Sequence, residues 1–155
     1  VEVIIGCGFG KKDVVTPAAD LYTSAYHVTC RRWAASINAR VWILSAKHGL
    51  ILGTKPIAPY SCTFAPHPTH GFAADTGPLE PRITARALRA TVMVSGIKRA
   101  VLLAGKDYEE ALEEAAGDIL SFRAPFRDLA IQRFNNGRRG YQQQLMIEYA
   151  GRIPR

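Results

Sequence analysis

Acidic residues, cysteines and long apolar runs are all scarce in this chain of 155 residues. Thirteen Asp and Glu stand against twenty Lys and Arg, giving a net charge of +7 and an isoelectric point near 9.6. That imbalance points away from cationic partners and toward polyanions or phosphorylated small molecules, because a cationic surface attracts phosphate through its field. Three cysteines, Cys7, Cys30 and Cys62, make an odd set with no paired spacing, which argues against a disulfide framework and predicts reduced thiols. No apolar run approaches the roughly 18 residues of a membrane span, and Val1 to Gly6 reads as a strand rather than a signal peptide. A soluble, cytoplasmic protein with no membrane partner is therefore expected. Internal repeats and low-complexity tracts are absent as well.

What is present fits a globular chain: 48% hydrophobic and 21% charged residues, in a length that suits one core. The pattern predicts a single α/β domain over 1–155, a three-layer sandwich whose mostly parallel sheet of about four strands is flanked by helices. Strands are expected at 1–6, 40–45, 99–104 and 119–122, and helices at 25–38, 80–96, 107–116 and 142–149. Residues 52–79 hold five of the nine prolines and two of the four histidines, and read as a long irregular loop, disordered or wrapped over a site.

The chemistry-bearing residues cluster at expected strand ends. The run Ile43 to Ile51 passes from apolar residues into Ser45, Lys47, His48 and Gly49, and open α/β sheets bind ligands at such carboxyl ends. Lys47 supplies a cation, His48 a group that titrates near neutrality, and Gly49 a permissive backbone; a polar turn is the plain alternative. The first strand empties into Gly6-Cys7-Gly8-Phe9-Gly10-Lys11-Lys12-Asp13, a candidate anion cradle that matches neither the dinucleotide fingerprint nor the Walker pattern. A flexible turn with two solvated lysines reads the same stretch equally well. Thr23 or Ser24 can cap the next helix, in which Cys30 is a small core residue. After the third strand, Gly105, Lys106 and Tyr108 reach the same edge if the strands are parallel, with Asp107 capping the helix that follows. Tyr60 is available for stacking or hydrogen bonding. Cys62, His67 and His70 have metal-ligand character, but no fourth ligand is evident, so no metal is expected. Arg82, Arg86 and Arg89 share a helix face, a phosphate-tracking stripe or a solvated one. Arg138 and Arg139 between two glycines suit a phosphate, or an exposed turn.

Cys7 with Lys11 and Lys12, Asp20 to Ser24, Ile43 to Leu50 and Ala104 to Tyr108 together resemble an uncharacterised family of small phage and bacterial proteins, a domain of unknown function. The resemblance covers most of the chain, and its most specific block is ILSAKHGL. The sequence departs from the family at Asn136-Gly137-Arg138-Arg139-Gly140, where a shorter Gly-Lys or Gly-Arg turn is usual. More distantly, Cys7 to Ser24 is similar to a block of archaeosine synthase, and the layout is similar to uracil-DNA-glycosylase-like α/β proteins. These relatives imply handling of a nucleobase on a phosphorylated sugar. The water-activating Asp motif and His-Pro-Ser motif of those glycosylases are not evident here, so their mechanism does not carry across.

The expected function is an enzyme that needs no cofactor and cleaves an N-glycosidic bond in DNA or a nucleotide. Such cleavage requires a donor to the departing base, charge or dipoles that stabilise a sugar cation, and cations that hold phosphate. His48 is assigned as acid or hydrogen-bond donor and Asp13 or Asp20 as water-orienting carboxylate. Lys11, Lys12, Lys47 and Arg138 are assigned as phosphate ligands, and Tyr22 or Tyr60 as a stacking platform. Cys7 and Lys47 are candidate nucleophiles. Gly8, Ser24, Ser45, Gly49, Gly105, Lys106, Tyr108 and Arg139 complete the expected substrate site. A nucleic-acid-binding module without chemistry and a small-molecule nucleotide transferase or sensor are the alternatives.

Overall fold

The computed structural model describes residues 1–8, 10–65 and 79–125. His67, His70, Arg138, Arg139 and the helix expected at 142–149 lie outside the described residues. In chain order the elements are β1 (Glu2–Gly6), β2 (Thr16–Pro17), α1 (Ala18–Leu21), α2 (Ala25–Ser36), β3 (Arg40–Ser45), β4 (Gly49–Leu52), β5 (Pro56–Ile57), α3 (Ala85–Ser95), β6 (Arg99–Leu103), α4 (Lys106–Ala116) and β7 (Ser121–Arg123).

The main sheet runs β4-β3-β1-β6-β7, parallel throughout except for the β3–β4 pair. β1 is its spine, with Ile5 paired to Ile43 on one side and Leu103 on the other. Val3, Ile4 and Ile5 are wholly buried. Successive strand residues point to opposite faces, so three buried in a row mean that both faces of β1 are covered. β2 and β5 form a separate antiparallel pair. Among the described residues no helix is long and apolar enough to cross a membrane.

The sheet has five strands rather than about four, because the run Ile43 to Ile51 is a hairpin. Leu50 and Ile51 fold back on Leu44 and Ile43 around Ala46, Lys47 and His48. Gly49 makes the return at φ 77°, and a Cβ there would lie 2.5 Å from Thr91 Oγ1, so this position needs glycine on two counts. α3 starts at Ala85 instead of Glu80: the Thr84 side chain accepts the Ala87 N–H at 3.2 Å and fixes the helix start. Residues 80–83 instead form a strap, in which the Glu80 N–H donates to Ser61 O and the Ile83 N–H to Ala46 O. α3 ends as expected at Gly96, with φ 70°. Gly105 rather than Asp107 is the N-cap of α4, and Asp107 sits in the first turn, where its charge complements the positive helix end. Arg89 clasps both oxygens of Asp118 and Arg82 donates to Phe64 O, so these two arginines do not work as a free phosphate stripe.

Candidate functional site

The chain leaves β1 toward β3 through α2, while β6 flanks β1 on its other side. Such a reversal of strand order opens a crevice at the carboxyl ends of the strands. A cavity of about 220 Å³ lies there, walled by Gly6, Cys7 and Gly8 at the end of β1, by Ala104, Gly105, Asp107 and Tyr108 after β6, and by Tyr26 and His27 of α2. Cys62 and Thr63 close another side. Gly6 permits this meeting, since a Cβ on it would lie 2.8 Å from the Ala104 Cβ. The close approach brings the Cys7 Sγ to 2.9 Å from Tyr108 Oη, which also reaches Thr63 Oγ1 at 3.4 Å.

His27 enters the cavity wall because of its helix cap. Ser24 accepts the His27 N–H at 3.2 Å, and the first turn of α2 seats the ring against Tyr22 at 4.6 Å between centroids. The imidazole is fully buried, and among the described residues neither ring nitrogen has a hydrogen-bond partner. Burial first, and Arg31 second, lower its pKa to about 4, so the ring is neutral at pH 7.

Beside the cavity, Tyr60 gathers the hairpin turn and the glycine loop. Ser45 Oγ accepts the N–H groups of Lys47 and His48 and donates to Tyr60 Oη at 2.7 Å, and Tyr60 Oη meets Tyr22 Oη at 2.5 Å. His48 packs its ring edge-on against Tyr60 at 5.3 Å, and burial followed by Lys47 lowers its pKa. A bridge between Lys11 and Tyr22 pins the loop that follows β1. The Lys11 Nζ donates to Gly8 O at 2.9 Å and stands over the Tyr60 ring at 4.7 Å; burial lowers its pKa. Lys47 Nζ is held 2.6 Å from Glu80 Oε1, whose other oxygen accepts the Ser61 N–H. Those two hydrogen bonds hold the Glu80 carboxyl below its ordinary range.

These strand-end residues fall within a shared sequence pattern. A family model described as a family of unknown function, DUF6884, matches residues 3–135. The chain belongs to DUF6884. No curated protein and no solved structure matches it. The DUF6884 span takes in every residue of the expected site except Arg138 and Arg139.

Within that span the structure brings Cys7, Gly8, Gly105 and Tyr108 to one cavity, and Lys11, Tyr22, Ser45, Lys47 and His48 around Tyr60. Tyr22 and Tyr60 are buried and serve as hydrogen-bonding groups, with no open ring face for a base to stack on. Ser24 is occupied as the cap of α2, and Gly49 as the hairpin return. Asp20 is paired with Arg31 at 2.6 Å on the surface, Lys106 with Glu110 at 3.5 Å, and Asp13 and Lys12 are exposed. None of these four lines the cavity. Sequence reasoning missed His27, Asp107 as a wall residue, and Glu80. The signal for His27 was its place three residues after Ser24, the position whose N–H an N-cap serine binds. Among the described residues no three His, Cys, Asp or Glu form a metal-holding group.

Proposed function

We propose that the chain is an enzyme that processes a nucleobase carried on a phosphorylated sugar, cleaving the N-glycosidic bond of a nucleotide or of DNA. The cavity at the carboxyl ends of β1 and β6 carries this reading. At about 220 Å³ it is smaller than the roughly 300–1,000 Å³ of pockets for drug-sized ligands, so it suits one planar heterocycle and leaves sugar and phosphate outside. Its wall is largely apolar, with His27 and the Cys7–Tyr108 pair as the groups that bind the departing base. Gly8 joins the cavity to Lys11, the phosphate ligand. His48 keeps the role of donor from the hairpin side, beside Tyr60 and outside the cavity wall, and Asp107, which lines the cavity, suits water orientation better than Asp13 or Asp20. The same reading takes the fold as a three-layer sandwich, supported by coverage of both faces of β1, and the setting as cytoplasmic, supported by three free thiols.

The test is incubation with normal and modified nucleosides, nucleotides and DNA, with released bases read by mass spectrometry. Release that falls at least tenfold in His48→Ala or Asp107→Asn supports the reading. Absence of release from every substrate removes it. A nucleotide sensor without chemistry is the second reading, favoured by the engagement of Lys47 with Glu80, which takes one cation out of phosphate binding. Tight, salt-tolerant nucleotide binding with no product identifies that case.

A further inference from the structure

We infer that Lys11 and Tyr22 form an anion site for a terminal phosphate, which selects a mononucleotide over internal positions of DNA. The inference rests on the nucleotide branch of the proposed function for its substrate, and on a count of hydrogens for its site.

Ser45 Oγ accepts two backbone N–H groups, from Lys47 at 3.2 Å and His48 at 3.0 Å. Both of its lone pairs are then used, so its hydrogen goes to Tyr60 Oη. Tyr60 accepts that hydrogen and meets Tyr22 Oη at 2.5 Å, a contact in which either hydroxyl can donate. Three hydroxyl hydrogens thus serve two contacts, and the one left over on the Tyr22–Tyr60 pair has no acceptor among the described residues. A chain of hydroxyls aligned in this way polarises its last donor.

Lys11 supplies the charge. One of its ammonium hydrogens goes to Gly8 O, and the group lies 4.7 Å from the Tyr60 centroid and 5.6 Å from that of Tyr22. Cation–π attraction offsets part of its desolvation but supplies no counter-charge. Lys47 has Glu80 and Arg31 has Asp20, whereas Lys11 has no ion-pair partner among the described residues. Cys7 and Cys62, and more weakly Glu80, face Lys11, but neither thiol forms an ion pair with it and Glu80 is already engaged by Lys47 and the Ser61 N–H. Two ammonium hydrogens of Lys11 and one phenol hydrogen of the tyrosine pair beneath it are thus left over, and a single anion with several acceptor oxygens satisfies all three.

Burial decides the kind of anion. Tyr22 is fully buried with Lys11 Nζ 5.6 Å from its ring centroid, so an oxygen reaches its hydroxyl only through a movement, for which half-exposed Lys11, swinging from Gly8 O, is suited. A terminal phosphate presents three oxygens on one side and can enter in this way. A backbone diester carries sugar on both sides and cannot.

The test is titration calorimetry of the full chain with inorganic phosphate, then with a nucleoside and its 5′-monophosphate, and with a single-stranded oligonucleotide lacking terminal phosphates. Phosphate is expected to bind, and the monophosphate to bind at least tenfold more tightly than either the nucleoside or the oligonucleotide. Lys11→Met, at a half-exposed position, should erase that preference. Tyr22→Phe keeps the ring and should weaken phosphate roughly 10- to 100-fold, the worth of a hydrogen bond to a charged group. Urea melts establish that Tyr22→Phe folds, and Lys11→Met carries the test if it does not. Failure of the folded parent to bind phosphate, unchanged phosphate affinity in Lys11→Met, or an oligonucleotide that binds as tightly as the monophosphate would overturn the inference. Phosphate binding without base release from any substrate leaves the site standing and removes the cleavage reading; base release without phosphate binding does the opposite.

Discussion

Replacing His27 with Leu should change how the fold responds to acid. The imidazole is fully buried, its nitrogens have no partners among the described residues, and its pKa falls to about 4 from an ordinary 6.5. Between those values the unfolded chain holds the proton that the folded chain refuses. Stability is therefore whole above the unfolded pKa and is lost as pH falls through the window from 6.5 toward 4. The complete loss is about 3 kcal/mol, of which about 2 kcal/mol is gone by pH 5. Leucine cannot titrate, and it removes two orphaned polar atoms at a cost in ring contact with Tyr22. The variant should accordingly be within about 1 kcal/mol of the parent at pH 7. Urea unfolding at pH 7 and pH 5, followed by fluorescence of the buried Trp33 and Trp42, measures both. The parent should lose about 2 kcal/mol more than the variant between the two pH values. Surface carboxylates such as Asp118 weaken both proteins equally and cancel in the comparison. Equal losses would show that the imidazole is protonated or partnered in the fold, and would refute the reasoning.

Three other perturbations follow from the same geometry. Ser45→Ala orphans the Lys47 and His48 N–H groups in the hairpin turn and frees Tyr60, and should cost about 2–4 kcal/mol in chemical denaturation. A cost below about 0.5 kcal/mol would mean that the turn has other partners. Gly49→Ala meets both the positive φ and the Thr91 hydroxyl, and should destabilise by about 1–3 kcal/mol in the same assay; a neutral result would contradict the hairpin geometry. Iodoacetamide at pH 8, read by peptide mapping, should label half-buried Cys7 before Cys30, which is fully buried and pushed up to about 12 by that burial. Labelling of Cys30 first would sink that assignment.

The parts of the fold legible in the sequence are those buried on both sides. β1, β3 and β6 read as continuous apolar runs because a parallel central strand has no solvent face, and their carboxyl ends located Cys7, Ser45 and Gly105 through the strand-end rule alone. β4 was hidden by the same property: Ile43 to Ile51 is apolar on both sides of the turn, and Ala46-Lys47-His48 lacks the Asn-Gly or Asp-Gly signature of tight hairpins. The two-residue strands β2 and β5 are too short for any periodicity. The early start expected for α3 came from Pro81, a residue that also suits an extended strap, and the Thr84 cap decided between them. Within the site, Tyr22 reads as a stacking platform amid the polar Asp20, Thr23 and Ser24, whereas the fold buries it beside the bridge to Lys11. His27 was invisible for a related reason. A histidine next to Tyr26 on a helix looks like a polar flank until the cap fixes which way the first turn faces.

The hairpin also changes what the ILSAKHGL block contributes. Its polar residues do not share one catalytic loop: Ser45 points inward to Tyr60, Lys47 outward to Glu80, and His48 lies along the Tyr60 edge. The block is better described as a rigid mount, in which a serine saturated by two turn amides forces its hydrogen onto Tyr60, whose hydroxyl meets that of Tyr22 beneath Lys11. This separates two roles that the net charge of +7 blurs. Exposed cations such as Lys12 and Arg32 act through water and lose their pull as salt shortens the screening length to about 10 Å at 0.1 M. Lys11, half-buried over two rings, is screened far less. Attraction of polyanions to the surface should therefore fade with salt while recognition of one small anion at Lys11 persists, so the two contributions separate in a single salt titration.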